Sequence, residues 1–355
     1  MADDYVWFEG IAFPVLDFKP EVLREVRDMF VVKDEDIITV TYPKSGTHWL
    51  IEIICLIHSK GDPKWIQSVP TWQRSPWIET THGYELLKDK EGPHIFTSHL
   101  PIQLFPKSFF NSKAKVIYGI RNPRDVLVSA YFFLRKMNIT KKPETLQEHM
   151  EWFLQGSVIY GSWFEHVRGW LSMRDRENVL VVSYEDLTKD PRSTVEKICQ
   201  FLGKKLKPEE IDLVLKYSSY QFMKENKMSN FSTIPDEYLD KGFLISKKRK
   251  QLKKKKDFLA NDFRGISSWS AAFQPLLKQK NGCIMTWKEN IAHFMAVKKQ
   301  TPNQRKECWQ DMVPEVTCPC VTLLNCEIIA PTIFHFKYLL DSKLQNTFLK
   351  CSKNS

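Results

Sequence analysis

The chain has 355 residues, 43% of them apolar, enough to bury one large core or two smaller ones. No run of about 18 uninterrupted apolar residues occurs, which argues against a membrane-spanning helix, and the opening Met1-Ala2-Asp3-Asp4-Tyr5 is acidic where a signal peptide is basic and then apolar. The net charge of +10 is local: nine Lys or Arg and no acid fall within 241–256, leaving +1 for the rest, which argues against a general nucleic-acid-binding surface.

Eight cysteines are present, Cys55 and Cys199 before residue 240 and six after it. With no signal peptide they read as free thiols of a cytoplasmic protein. Cys318-Pro319-Cys320 has the wrong spacing for a zinc knuckle, and no metal site is expected there.

Residues 5–18 gather Tyr5, Trp7, Phe8, Phe13 and Phe18 around Pro14, and Val22, Leu23, Val26 and Phe30 follow at helical spacing. Residues 37–41 (IITVT) are a β-branched run and read as a buried strand. Pro43 and Gly46 punctuate the turn after it, and Thr47 stands where it can cap the next helix. From Trp49 to Ile57 every position but Glu52 is apolar, so that helix is buried on most sides. Strand, tight turn and buried helix aim free N–H groups at whatever lies above the sheet edge, and Lys44 adds a full positive charge, so the turn is an anion site. It is not a nucleotide-binding Walker loop, because Ile38 and Pro43 stand where that loop needs glycine.

Residues 60–93 scatter Trp65, Trp72, Trp77 and Tyr84 among Pro, Gly and charges, predicting a long structured loop that serves as a lid or pocket wall. Residues 94–101 form an extended run with His99 at its C-terminal end, where open α/β sheets place ligands. A histidine there has the pKa class of a base near neutral pH. Residues 115–121 are a second β run ending in Arg121. Asn122 then caps a helix with Pro123 in its first turn. Arginine is the permanently charged fork suited to phosphate, and two cationic strand–helix turns imply a ligand with two separated anionic groups. Residues 143–176 read as one or two helices rich in Trp and Phe, and 178–184 as a third β run. Asp190-Pro191 opens a helix stopped by Gly203, and Pro208 opens another. Strands alternating with helices predict an α/β fold, a central parallel sheet flanked by helices.

From Asp3 to about Asp240 the chain resembles the cytosolic sulfotransferases, most closely the hydroxysteroid (alcohol) group, through WFEGIAFP (7–14), TYPKSGT (41–47), QSVPTWQRSPWIE (67–79), SHLPIQLFP (98–106), KVIYGIRNPRDVLVS (115–129), SYEDL (183–187) and KENKMSN (224–230). The resemblance implies the P-loop-like sulfotransferase fold over residues 1–241. It also implies transfer of the sulfuryl group of 3′-phosphoadenosine-5′-phosphosulfate (PAPS) to a hydroxyl of a steroid, bile acid or other lipophilic alcohol, with no metal. Lys44 and the amides of Ser45, Gly46, Thr47, His48 and Trp49 would hold the phosphosulfate, Lys44 also stabilising charge on the bridging oxygen. Arg121 and Ser129 would bind the 3′-phosphate. Trp49 and Tyr220 would stack on the adenine with Tyr184 at its edge, and Ser218, Ser219, Gln221, Phe222 and Met223 would complete the nucleotide stretch. His99 would take the acceptor's proton. By the same resemblance Phe18, Trp72, Trp77 and Phe133 would line the acceptor pocket, with Met137, Tyr160, Phe231 and Tyr238. His48 replaces the family's usual Asn or Thr, and Thr97 a frequent Lys.

The likeness stops near Lys241-Gly242. The family's Arg-Lys-Gly and Gly-Asp-Trp-Lys phosphate loop and its dimer motif do not follow. The basic run 242–256 and an unassigned, poorly ordered tail at 257–355 stand instead, implying an alternative C-terminal end. A second reading therefore accompanies the first: a domain that binds sterol or nucleotide without turnover, having lost charge-assisted phosphate bonds worth about 1.5–3 kcal/mol each.

Overall fold

A computed structural model describes residues 5–238, 279–280 and 283–284. The basic run 242–256 and all but four residues of the tail 257–355 lie outside the described residues. The chain divides into two units, Met1–Gln274 and Pro275–Ser355. In the second, strands Gln279–Lys280 and Cys283–Ile284 pair antiparallel.

The first unit opens with a small antiparallel hairpin, β1 (Val6–Phe8) and β2 (Ile11–Phe13), and helix α1 (Pro20–Asp28), whose Val22, Leu23 and Val26 are buried. The central sheet follows the three predicted β runs and the 94–101 extension: β3 (Ile37–Thr41), β4 (Ile95–Ser98), β5 (Lys115–Ile120) and β6 (Val179–Ser183). They lie in the order β4-β3-β5-β6, every pairing parallel. In register, Val40 faces Ser98 and Tyr118, and Ile120 faces Ser183. All four strands thus end at one edge, and the residues that follow them meet there.

Helix α2 (Thr47–His58) is the core of the unit. Leu50, Ile51, Ile53, Ile54, Leu56 and Ile57 are buried against Ile117 and Val182 of the sheet. Its other sides meet Val195, Ile198 and Leu202 of the helix Pro191–Leu202 and Ile211 and Val214 of the helix Pro208–Tyr217. A side chain at Gly119 would come within 2.6 Å of Leu50 and 2.8 Å of Thr41, so the glycine is what lets α2 rest on the sheet. The cap differs from expectation. Gly46, not Thr47, is the N-cap, and Thr47 is the first helical residue, its Oγ1 sharing a 2.7 Å hydrogen bond with Thr41 Oγ1.

Residues 60–93 are also more regular than a loop. They hold three short helices, α3 (Lys64–Ser68), α4 (Thr71–Arg74) and α5 (Thr81–Leu87). Elements of one or two turns leave no apolar periodicity to read, and Pro63 and Pro70, which look like loop punctuation, are the N-caps of α3 and α4. Glu52, the one acid of α2, is explained here. It is fully buried in an ion pair with Arg74 of α4 and accepts hydrogen bonds from Thr71 (3.2 Å) and Ser229 (2.8 Å). Thr71 N–H in turn donates to the carbonyl of Met228 at 3.0 Å. One carboxylate therefore fastens α2, α4 and residues 228–229 together.

Removing one partner of a buried, hydrogen-bonded pair leaves an uncompensated charge. Arg74→Met is expected to lower unfolding free energy by about 3–5 kcal/mol in urea titration. Adding Glu52→Gln should recover part of that loss, and equal loss in the single and double variants would contradict the coupling.

Candidate active site

The turn between β3 and α2 is held in a strained form. Lys44 has φ +69° and Gly46 φ +99°, and a side chain at Gly46 would come within 2.7 Å of Tyr184. The turn is anchored by Ser45 N–H to the Tyr42 carbonyl (3.2 Å) and by Tyr42 OH to the Gly161 carbonyl (2.8 Å). Gly46 supplies no side-chain cap, so the first-turn N–H groups of α2 are left for an external acceptor. The buried Ser45 Oγ makes no hydrogen bond within the protein. Lys44 Nζ lies 3.8 Å from the centre of the Phe133 ring, within cation–π range.

Arg121, at the end of β5, reaches across to this turn: its Nη1 donates to the Lys44 carbonyl at 2.9 Å. Its guanidinium lies 4.1 Å from the Tyr184 ring centre, and its buried Nε has no partner. Asn122 caps the helix α6 (Pro123–Leu134), as its sequence predicts, accepting from Arg124 N–H at 3.0 Å. Glu185 Oε1 accepts from Asn122 N–H at 2.9 Å. Half-buried Ser129 lies on α6. Trp49 and Tyr184 meet edge to face at 5.6 Å. The 218–223 stretch is split. Ser218 is buried, and Ser219 caps the helix Tyr220–Glu225. Phe222 packs on the α2 core and against Tyr217, Met223 is half-buried, and Tyr220 and Gln221 face outward, Tyr220 at 79% exposure.

His99, just past β4, is fixed from several directions. Its Nδ1–H donates to the Thr41 carbonyl at 2.8 Å, which leaves Nε2 as the proton acceptor. Its backbone N–H donates to Glu79 Oε1 at 2.7 Å, and its carbonyl accepts from His166 Nε2 at 3.1 Å. Burial, reinforced by Lys44, pushes its pKa down to about 4, although the Thr41 carbonyl acts the other way. Aromatic rings surround it. Tyr160 lies at 5.3 Å and Trp77 at 5.9 Å, while His48 packs on Trp77 at 5.3 Å and Phe231 at 4.5 Å. Phe18 reaches Tyr160 at 6.1 Å. Met137 is buried, Trp72 is half-buried on α4, and the carbonyl of Tyr238 accepts from Asn138 N–H at 3.0 Å. Of the six non-glycine residues with left-handed backbone among the described residues, Lys44, Tyr160 and Phe231 belong to this site.

The arrangement can grip an anion at the β3–α2 turn and take up a proton beside it. Sequence reading missed Glu79, His166 and Thr41, which orient His99. Glu79 lies inside the 67–79 motif, and an acid directly after Trp77-Ile78 was the one available sign of it.

Burial lowers the pKa of five histidines, His48, His58, His99, His149 and His166. Burial pushes His48 and His166 to about 3, and His99 and His149 to about 4. The unfolded chain therefore takes up protons below 6.5 that the native chain refuses. Their contribution is complete above that pH and is lost as pH falls toward 4. Glu79, raised by burial to about 7, acts in the opposite sense between 4.5 and 7, as a single group. Unfolding free energy, read by urea titration, is expected to fall from pH 6.5 to 4.5. His149→Phe, away from the turn, should make the fall shallower by up to about 1.4 kcal/mol per pH unit. A profile unchanged by that substitution would contradict the assignment.

Residues 34–276 match the sulfotransferase-domain family. The chain is 75% identical over 248 residues to the 3-alpha-hydroxysteroid sulfotransferase of the guinea pig Cavia porcellus, a match covering 70% of this chain and 86% of that one. It is 62% identical to human sulfotransferase 2A1 over 248 residues, covering 70% and 87%. Among solved structures it resembles mouse sulfotransferase SULT7A1 complexed with PAP, at 33% identity and a TM-score of 0.55, covering 62% of this chain and 75% of that one. Together with the parallel sheet and the turn after β3, these matches carry the conclusion that the chain belongs to the sulfotransferase family.

Proposed function

We propose that the chain is a cytosolic enzyme that moves the sulfuryl group of PAPS to the hydroxyl of a steroid or other lipophilic alcohol. The observation that carries the reading is the convergence of Lys44, Arg121 and His99 on one sheet edge, with Arg121 bonded to the Lys44 carbonyl and Nε2 of His99 left as acceptor. The protein atoms suit a doubly anionic nucleotide. Ser45 Oγ and Arg121 Nε are buried donors without partners, and the α2 N-terminus lacks a side-chain cap. The guinea-pig relative named a 3-alpha-hydroxysteroid sulfotransferase, and the PAP held by the mouse structure, support the same acceptor and donor class.

In this reading His99 Nε2 accepts the hydroxyl proton as the acceptor oxygen bonds to sulfur and the sulfur–phosphate oxygen bond breaks, PAP carrying away the released charge. Lys44 and the α2 amides offset that charge where it grows. The phosphosulfate would also neutralise Lys44, removing one cause of the low His99 pKa. Trp77, Tyr160, Phe18 and Phe231 form the apolar wall expected of a pocket for a flat alcohol, and Trp49 and Tyr184 a face for adenine. A second reading, binding without turnover, is favoured by the lack of a Gly-Asp-Trp-Lys loop after Asp240.

Transfer of label from sulfur-35 PAPS to a 3-hydroxysteroid separates the two. The full chain is expected to turn over, with Lys44→Met and His99→Ala each lowering kcat by about 10²–10³-fold while remaining folded. Absence of transfer in a chain that still binds PAP would select the second reading, and unchanged kcat in both variants would reject this site.

A further inference from the structure

The deepest titratable group near His99 is not one of the residues that touch donor or acceptor in the reading above. Glu79 is fully buried, and its Oε1 accepts the backbone N–H of His99 at 2.7 Å. The contact is built by a short extension of the sheet. Trp77 bridges to Thr97, with Thr97 N–H donating to the Pro76 carbonyl at 2.8 Å and Ile78 N–H to the Thr97 carbonyl at 3.0 Å. That pairing runs residues 76–78 along β4 and delivers Glu79 to the point where β4 ends and His99 begins. β4 is the edge strand of the four-stranded sheet, and beyond Ser98 the N–H has left the ladder. The Glu79 carboxyl supplies its acceptor.

On the reading of His99 as the base, we propose that Glu79 is its positioning residue: it clamps the His99 backbone from one side while His166 clamps it from the other, and so aims Nε2 at the acceptor hydroxyl. The two clamps are complementary. Glu79 takes the N–H, and His166 Nε2 gives to the carbonyl at 3.1 Å. His166 is itself fixed, accepting from Tyr118 OH at Nδ1 (3.1 Å). Between the clamps the ring has one remaining freedom, rotation about its side-chain bonds, and the Nδ1–H bond to the Thr41 carbonyl removes it. The hydroxyls of Ser98 and Tyr160 lie beside the same carboxyl, and Asp17 acts on Tyr160. Glu79 therefore also joins the base to the ring of Tyr160, which packs 5.3 Å from His99 on the acceptor side.

The neutral form suffices for this task. Burial holds the carboxyl up to about 7, and Oε2 makes no hydrogen bond of normal geometry. The amide oxygen of glutamine can accept from the His99 N–H just as Oε1 does, with its NH2 in place of the acid's second oxygen. Alanine cannot. A misplacement of about 1 Å at a reacting group is enough for roughly 10²-fold in rate.

The test uses the full chain and three proteins: native, Glu79→Gln and Glu79→Ala. Glu79→Ala is expected to lower kcat by about 10–100-fold with KM for the steroid and affinity for PAP within about threefold of native. Glu79→Gln is expected to keep kcat within about threefold. A kcat for Glu79→Ala within threefold of native overturns the proposal, as does a folded Glu79→Gln that is as slow as Glu79→Ala. Nitrogen-15 spectra of the imidazoles, with His99 assigned by difference from His99→Gln, give a readout that needs no turnover. Native and Glu79→Gln should show His99 as the single Nδ1–H tautomer, and Glu79→Ala a mixture. Native-like tautomers in both variants overturn the proposal even if the chain transfers no sulfate, whereas a mixture in Glu79→Ala alone supports it in that case too.

Discussion

The hydrogen bond from Arg121 to the Lys44 carbonyl is the contact on which the rest of the site depends. Two cations brought this close would repel if they met through their charged ends. Arg121 instead gives one N–H to a backbone oxygen, which the left-handed conformation of Lys44 makes part of a tight turn, and places its guanidinium carbon over the Tyr184 ring. The strain of that conformation, of order 1–3 kcal/mol, is offset by the bonds that converge on the turn: Arg121, Tyr42 to Gly161, and Thr41 to Thr47. The parallel sheet makes this geometry available. Four strands ending at one level deliver Lys44, His99, Arg121 and Tyr184 to the same edge with little further bending of the chain.

Burial then sets the chemistry. The packing around His99 and Glu79 lowers the imidazole pKa to about 4 and raises the carboxyl's to about 7, so hydrogen bonds carry most of the task of fixing both groups. The core under the site has a similar economy. Glu52 is a charge at the centre of an apolar helix, and through Arg74, Thr71 and Ser229 it sets where residues 71–79 begin their path toward His99. The acid that holds the fold and the acid beside the histidine are thus linked through one short stretch of chain.

Much of this was legible in the residues. The β-branched runs at 37–41 and 115–120 and the apolar run at 49–57 are long enough for periodicity and propensity to identify them, and Asn122-Pro123 and Leu202-Gly203 marked helix ends correctly. The short helices between 64 and 87 were not legible, because four to seven residues carry no repeat and are held by tertiary contacts. Thr47 looked like a cap because capping preference is local, whereas its hydroxyl is claimed by Thr41 from the neighbouring strand. The placement of Glu79 and His166 around His99 depends on contacts across 20 and 67 positions, which single-sequence patterns do not encode.

On the function proposed, Lys44 and Arg121 grip one doubly anionic nucleotide between them. Isothermal titration of the full chain with 3′-phosphoadenosine-5′-phosphate measures this most directly. One site per chain is expected, with Lys44→Ala and Arg121→Ala each weakening it by about 10–100-fold, as loss of a charge-assisted bond requires. Binding left unchanged by both substitutions, or no binding by the native chain, would contradict it.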